Sequence, residues 1–281
     1  MEANTSPMAT DAGSVGVQAS RGTRADLIRE FALIVVVYLG YRHVRHLARD
    51  QADQAFENAR RVVEIERRLH LFTEQAVQQA FMHNDALMWL LNHYYARVHF
   101  PLTIIFLVWL VVRHRDAYRT VRTWLITVTL VALRMHVAFP LAPPRMLSSL
   151  GFVDTLRQSG LRIYSTNPND SAANQFAAMP SLHFGWAVIV AAGFVAVCRT
   201  LASVLAFLHP VITLIAIVAT ANHYWIDAGV ALVLVIGAVM VVRASAVTSD
   251  DLDPADGGDI SVSQRPASLP SRGGRDPSSV D

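Results

Sequence analysis

The sequence predicts an all-α fold: a polytopic membrane protein built as a bundle of six transmembrane helices. Three observations predict it. Of 281 residues, 53% are hydrophobic and only 16% charged, a balance too apolar for a soluble domain of this length. Apolar runs of about 20 residues, the length needed to cross a bilayer core, recur along the chain. Arginines gather in the short segments between those runs.

The first run, "LIREFALIVVVYLGYRHV", is flanked by arginines and has no small-residue cleavage site, so it reads as a retained span and not as a signal peptide. The second is "ALMWLLNHYYARVHFPLTIIFLVWLVV", the third "TWLITVTLVALRMHVAFPL" and the fourth "SLHFGWAVIVAAGFVAVC". Residues 202–242 are long enough for two more, with a break at "ANHYWIDAG". Residues 1–22 and 245–281 are rich in small, polar, Pro and Gly residues and cannot bury enough apolar surface to fold, so they are expected to be disordered tails around a membrane domain at 23–244. Between spans one and two lies "RRVVEIERRLHLFTEQAVQQ". Val62, Ile65, Leu69 and Phe72 recur there at helical spacing, which predicts an amphipathic helix along the membrane interface.

Charge narrows the function. All 24 basic residues are Arg and the net charge is only +2, which gives no nucleic-acid patch and no nucleic-acid partner. The single Cys198 allows no intrachain disulfide and suggests neither a Cys-based metal site nor a thiol enzyme. "RHRDAYRTVR", Arg199 and Arg243 fall on one side if the N-terminus is there too, and that side is expected to be cytoplasmic in the cell membrane. The Arg-rich segment between spans one and two opposes this, although its acidic residues balance it.

With this topology "FPLAPPRM", "MPSLHFG" and "ANHYWIDAG" meet in one layer on the non-cytoplasmic face. Polar residues at membrane depth are costly and so are functional candidates. His223 and Asp227, four apart, share a helix face, where the carboxylate can accept from one imidazole nitrogen and leave the other as a base or nucleophile. Pro180 and Ser181 start a helix whose free amides suit a phosphate, with His183 in its first turn. Arg145, after two prolines, offers a planar fork of donors for phosphate oxygens. These groups suffice for phosphoryl transfer without a metal or other cofactor.

The three segments resemble the motifs of the PAP2 (type 2 phosphatidic acid phosphatase) superfamily. They are most similar to its inositolphosphotransferase-like branch, related to fungal inositol phosphorylceramide synthase, through "APPR", "SLHFG" and "NHYWID". The resemblance runs from the amphipathic segment to span six. It implies a PAP2-type six-helix bundle, with His223 as the nucleophile that becomes phosphohistidine and Asp227 as its orienting carboxylate. It further implies His183 as the acid for the leaving oxygen, Arg145 as a phosphate clamp and Ser181 as a backbone or hydroxyl contact. The substrate implied is a lipid phosphate or phospholipid. Ala138 and Met146 stand where typical members carry a lysine and a proline, and Ala216 and Ile217 where they carry Ser-Arg, so the pocket has fewer cations. His136 and Arg134 are candidates for the missing donors.

Other histidines, His83, His93, His99, His114 and His209, are expected to pack or hydrogen-bond, and Trp186, Tyr224 and Trp225 to serve as interface or packing residues. Arg157, Arg162, Asn167, Asp170 and Asn174 are candidates for a lid or headgroup contact. A different reading is a transporter or proton-relay protein using the same layer. It would need polar residues continuing through the spans, whereas spans four and six are apolar below the motifs. The lipid, the acceptor (water or a hydroxyl) and the oligomeric state stay open in the sequence.

Overall fold

A computed structural model describes residues 51–161 and 176–251. The first expected span, residues 27–44, lies outside them, as do the expected tail 1–22 and residues 252–281 of the expected tail 245–281, whose first residues, 245–251, continue the last helix. The described residues are helical, joined by loops whose one β-like contact is an isolated parallel bridge between Leu141 and Ala177.

The helices are α1 Ala52–Arg68, α2 Glu74–Met82, α3 Asp85–His93, α4 His99–Arg113, α5 Arg115–Ala138, the short α6 Thr155–Gln158, α7 Leu182–Cys198, α8 Leu208–Ala219 and α9 Trp225–Asp251. Among the described residues four stretches are long and apolar enough to cross a membrane: Asp85–Arg113, Arg115–Ala138, Leu201–Ala219 and Trp225–Ser245. The expected fourth span is α7, apolar but only 17 residues long. Of the described residues, 51–161 and 176–242 fall in one compact unit, and 243–251, the end of α9, in a second.

Asn84 starts the first of these stretches, its side chain accepting from the Leu87 amide, which satisfies one of the orphan donors of a helix start. Between α3 and α4 the helix widens into a π-turn at Tyr94–Val98, a feature that re-aims side chains and often marks functional sites. Here it sets Tyr95 and His99 against the same ring, that of His183. The bundle core joins α4, α5, α7 and α9 through Phe106, Leu110, Trp124, Val128, Ile189 and Val235. Gly193 allows a close approach in this core: a Cβ there would stand 2.8 Å from Val121 and 3.1 Å from Phe106.

A second core lies at the ends of the helices. It packs Ala55, Ala59, Val62 and Val63 of α1 against Leu141 and Ala142 of the first motif segment, Phe176 and Ala178 just ahead of the middle one, and Ala221 and Tyr224 of the last. The α1 region corrects the expected amphipathic stripe. Val62 is buried, but Ile65 and Leu69 are 46% and 59% exposed, and the helix stops at Arg68, before His70 adopts φ 57°. The buried face instead carries Ala55, Asn58, Ala59, Val62 and Glu66. Two of those are polar because their partners are polar: Asn58 Nδ2 donates to the Pro140 carbonyl at 2.8 Å, and Glu66 accepts from the start of α9.

Candidate active site

The prolines that end α5 leave an extended segment with free backbone groups, and these stitch the motif segments together. Leu141 donates to the Phe176 carbonyl, Ala178 to the Leu141 carbonyl, and Arg145 N to the Ala221 carbonyl at 2.8 Å. Ser181 N donates to the Asp227 carbonyl at 3.1 Å. Tyr224 fixes the same junction by donating its hydroxyl to the Ala142 carbonyl at 2.9 Å. Segments some 80 residues apart thus meet through hydrogen bonds that a buried backbone requires.

His223 lies in the turn between α8 and α9, 5% exposed. Its Nδ1 is 2.8 Å from the Ala178 carbonyl oxygen and 3.4 Å from Asp227 Oδ2. A ring nitrogen facing two acceptors carries the proton of the neutral imidazole, so Nε2 presents a lone pair. The nearer of the two oxygens is a backbone carbonyl just ahead of the middle motif, not the carboxylate. Asp227, fully buried, also accepts from the Tyr224 amide at 2.9 Å and so ties its own turn to the first residues of α9.

His183 stacks on Tyr95 with ring centroids 4.3 Å apart and is flanked by His99 and Phe100, each at 5.1 Å. Its centroid is 6.1 Å from that of His223. A phosphorus within about 3 Å of a nucleophile and a leaving oxygen within about 3 Å of an acid together span a gap of this order. Ser181 caps α7, its Oγ accepting from the Phe184 amide at 3.4 Å, and its hydroxyl hydrogen can still donate. Arg145 is 5% exposed, with Nε 3.9 Å from Asp154 Oδ2.

The residues named from sequence have separate fates. His223, Asp227, His183, Ser181 and Arg145 belong to segments that the structure joins. His136 is buried, with Nε2 3.3 Å from the Pro180 carbonyl, whereas Arg134 is exposed and no donor to this centre. Arg157 is exposed, and Arg162, Asn167, Asp170 and Asn174 lie outside the described residues. Trp186 and Tyr224 anchor structure, Trp186 Nε1 donating to Thr129 Oγ1 at 3.1 Å. His99 is fully buried between the rings of His183 and His209. Sequence reasoning missed Ala178, which acts through a carbonyl that every residue has. It also missed Glu66 and Glu74, hidden among the many charges of an Arg-rich segment. Among the described residues no group of three or more His, Cys, Asp or Glu could hold a metal ion.

Long apolar helices carrying two histidines, an aspartate and a buried arginine where their ends meet define an all-helical protein of membrane-spanning type with a centre suited to phosphate esters. The PAP2 superfamily family model matches residues 60–241, and the chain belongs to that superfamily. Membership assigns it to a superfamily of phosphatases and phosphotransferases acting on phosphate esters. Neither the curated proteins nor the solved structures gave a match.

Proposed function

We propose that the protein is a membrane phosphotransferase or phosphatase that acts on a lipid phosphate ester through a phosphohistidine intermediate, without a metal, in the manner of the inositolphosphotransferase-like branch. The observation that carries this reading is the ring of His223, with Nδ1 held by Ala178 and Asp227 and His183 facing it at 6.1 Å. His223 Nε2 attacks phosphorus as the bond to the leaving oxygen breaks, and His183 gives that oxygen its proton. In the second half His183 takes the proton of the acceptor hydroxyl. The acceptor oxygen attacks phosphorus, and the N–P bond breaks. Asp227 and the Ala178 carbonyl stabilise the imidazolium while it carries the phosphoryl group, and Arg145 balances the phosphate charge. The site is assigned to the non-cytoplasmic face of the cell membrane, where lipid and water both reach it, with residues 23–244 as the catalytic domain between two tails.

The test is release of phosphate and headgroup from a panel of lipid phosphates and phosphodiesters, with chelator present, by wild type, His223→Ala and His183→Ala. Turnover by wild type alone is expected. Equal activity in all three proteins, or its loss with chelator, refutes the reading.

One observation favours a proton relay. The rings of His223, His183, His99 and His209 form a row with centroids 6.1, 5.1 and 5.4 Å apart, and Tyr94 Oη lies 2.6 Å from His209 Nδ1. The 3-10 turn that follows toward the start of that stretch, Leu201–Phe207, has only Ser203 as a polar side chain. Phosphoryl transfer therefore explains more of the site. Proton flux in proteoliposomes that fails in His99→Leu would reverse that preference.

A further inference from the structure

The helix that bears Asp227 starts at Trp225, and its first amides have no partners within the helix. Three consecutive amides at this point are each taken by a different carboxyl. Tyr224 N donates to Asp227 Oδ2 at 2.9 Å, Trp225 N to Glu74 Oε1 at 3.1 Å, and Ile226 N to Glu66 Oε1 at 3.0 Å. Glu66 and Glu74 come from the last turn of α1 and the first turn of α2, some 150 to 160 residues earlier. The hairpin that carries them is closed by the Glu66 carbonyl, which accepts from Leu71 N at 2.8 Å and Phe72 N at 3.3 Å. Thr73 adds a further bond, its Oγ1 accepting from Trp225 Nε1 at 3.0 Å. Both carboxyls are fully buried.

We propose that Glu66 and Glu74 are positioning residues for the reaction, two carboxyls that clamp the first two amides of α9 and so fix the helix start that holds Asp227 and the turn that holds His223. This inference rests on the phosphoryl-transfer reading of the site. It gives the α1–α2 hairpin a role: the hairpin is the outer wall of the catalytic turn, touching the start of α9 where a small shift would move both functional side chains.

Two ionised carboxylates so placed, beside a third in Asp227, would repel, and burial of an unpaired charge is expensive. Oε2 of Glu66 and Oε2 of Glu74 both lack a donor among the described residues. One proton between the two carboxyls satisfies both oxygens. Glu66 holds it: burial first, and the hydrogen bond to Glu74 second, push its pKa up to about 9. The titratable groups facing it are Glu74 from α2, Asp227 from α9 and Tyr224 from the turn. Arg67 and Arg68, its neighbours on α1, are exposed. While Glu66 keeps its proton the repulsion between the neighbouring carboxyls is relieved. As pH rises through that range Glu66 ionises and the clamp loosens.

The test compares wild type, Glu66→Gln and Glu66→Ala as full-length proteins in nanodiscs, with phosphatidic acid and phosphatidylinositol as probes. Glutamine can accept from Ile226 N and donate to Glu74 without ionising. Glu66→Gln is expected to keep kcat within roughly tenfold, while Glu66→Ala, which frees the turn, loses roughly 100-fold with little change in KM. As pH rises through 9 the wild-type kcat should fall while that of Glu66→Gln stays level. Infrared difference spectra, which need no turnover, should show a protonated carboxyl in wild type that titrates in the same range and is missing from Glu66→Gln. Identical alkaline limbs in wild type and Glu66→Gln, or no protonated carboxyl at neutral pH, would overturn the proposal. A wild type that shows the band but turns over neither probe would refute the lipid-phosphate reading and leave the carboxyl pair standing.

Discussion

The layer around His223 and the bundle beneath it are held together by opposite means. In the bundle, Phe106, Leu110, Trp124, Val128, Ile189 and Val235 pack by apolar contact, and the tight point at Gly193 is purely steric. In the layer above, buried Asn58, Glu66, Glu74, Asp227, His223 and Tyr224 each meet a partner from another segment. Apolar packing is non-directional and tolerates volume-conserving exchange. A buried hydrogen bond fixes an atom, and its loss leaves a polar group without a partner. The bundle therefore provides a frame, and the layer provides geometry.

Substitutions separate the two regions, and the largest effects belong to the layer. His223→Ala is expected to lose at least about 1,000-fold in turnover and His183→Ala about 100-fold or more, since a nucleophile and a general acid contribute on those scales. Neither should lower the thermal unfolding temperature in the same detergent by more than a small amount. A matching drop in unfolding temperature would place these histidines in the frame. Gly193→Val should do the reverse, destabilising by about 1–3 kcal/mol through overpacking, with kcat per folded molecule near wild type. Tyr224→Phe strands the Ala142 carbonyl and should cost about 1–3 kcal/mol together with a fall in kcat, because the same bond holds the catalytic turn. Trp186→Phe removes the bond to Thr129 and part of the ring that packs on Phe100, and chemical denaturation should register at least about 1 kcal/mol with a smaller change in kcat than at the histidines.

The smallest effect at acid pH grows with pH. Glu66 has a folded pKa near 9, above its ordinary value of 4.5. Its contribution to stability is fully present below pH 4.5 and is lost as pH rises through 9. The unfolding temperature of Glu66→Gln should therefore gain on wild type across that window, and a constant difference would contradict the shared proton.

The frame was legible in the sequence because apolar length is a local property. The second, third, fifth and sixth expected spans coincide with the four long apolar helices, while the fourth forms a shorter one. The first lies outside the described residues. The motif residues were legible because His, Asp and Arg stand out among apolar neighbours. The supporting contacts were not. Helical spacing told which residues of α1 share a face, but it could not say that Glu66 faces inward while Ile65 and Leu69 face out. That choice depends on the amide of Ile226, which lies 160 residues away. Arg134, named with His136 as a candidate donor, is exposed where His136 is buried, because residues two apart on a helix of 3.6 residues per turn face different ways. The carbonyl of Ala178, the nearest partner of the His223 ring, has no signature in a side-chain code.

The central claim is that His223 carries the phosphoryl group. Rapid quench of the wild-type protein during turnover of a phosphorus-labelled lipid substrate, followed by peptide mass spectrometry under alkaline conditions that preserve phosphohistidine, tests it directly. The expected result is label on His223, building up before product and persisting longer in His183→Ala, where its transfer to the acceptor is slowed. Steady turnover with no labelled His223, or label on another residue, would contradict it.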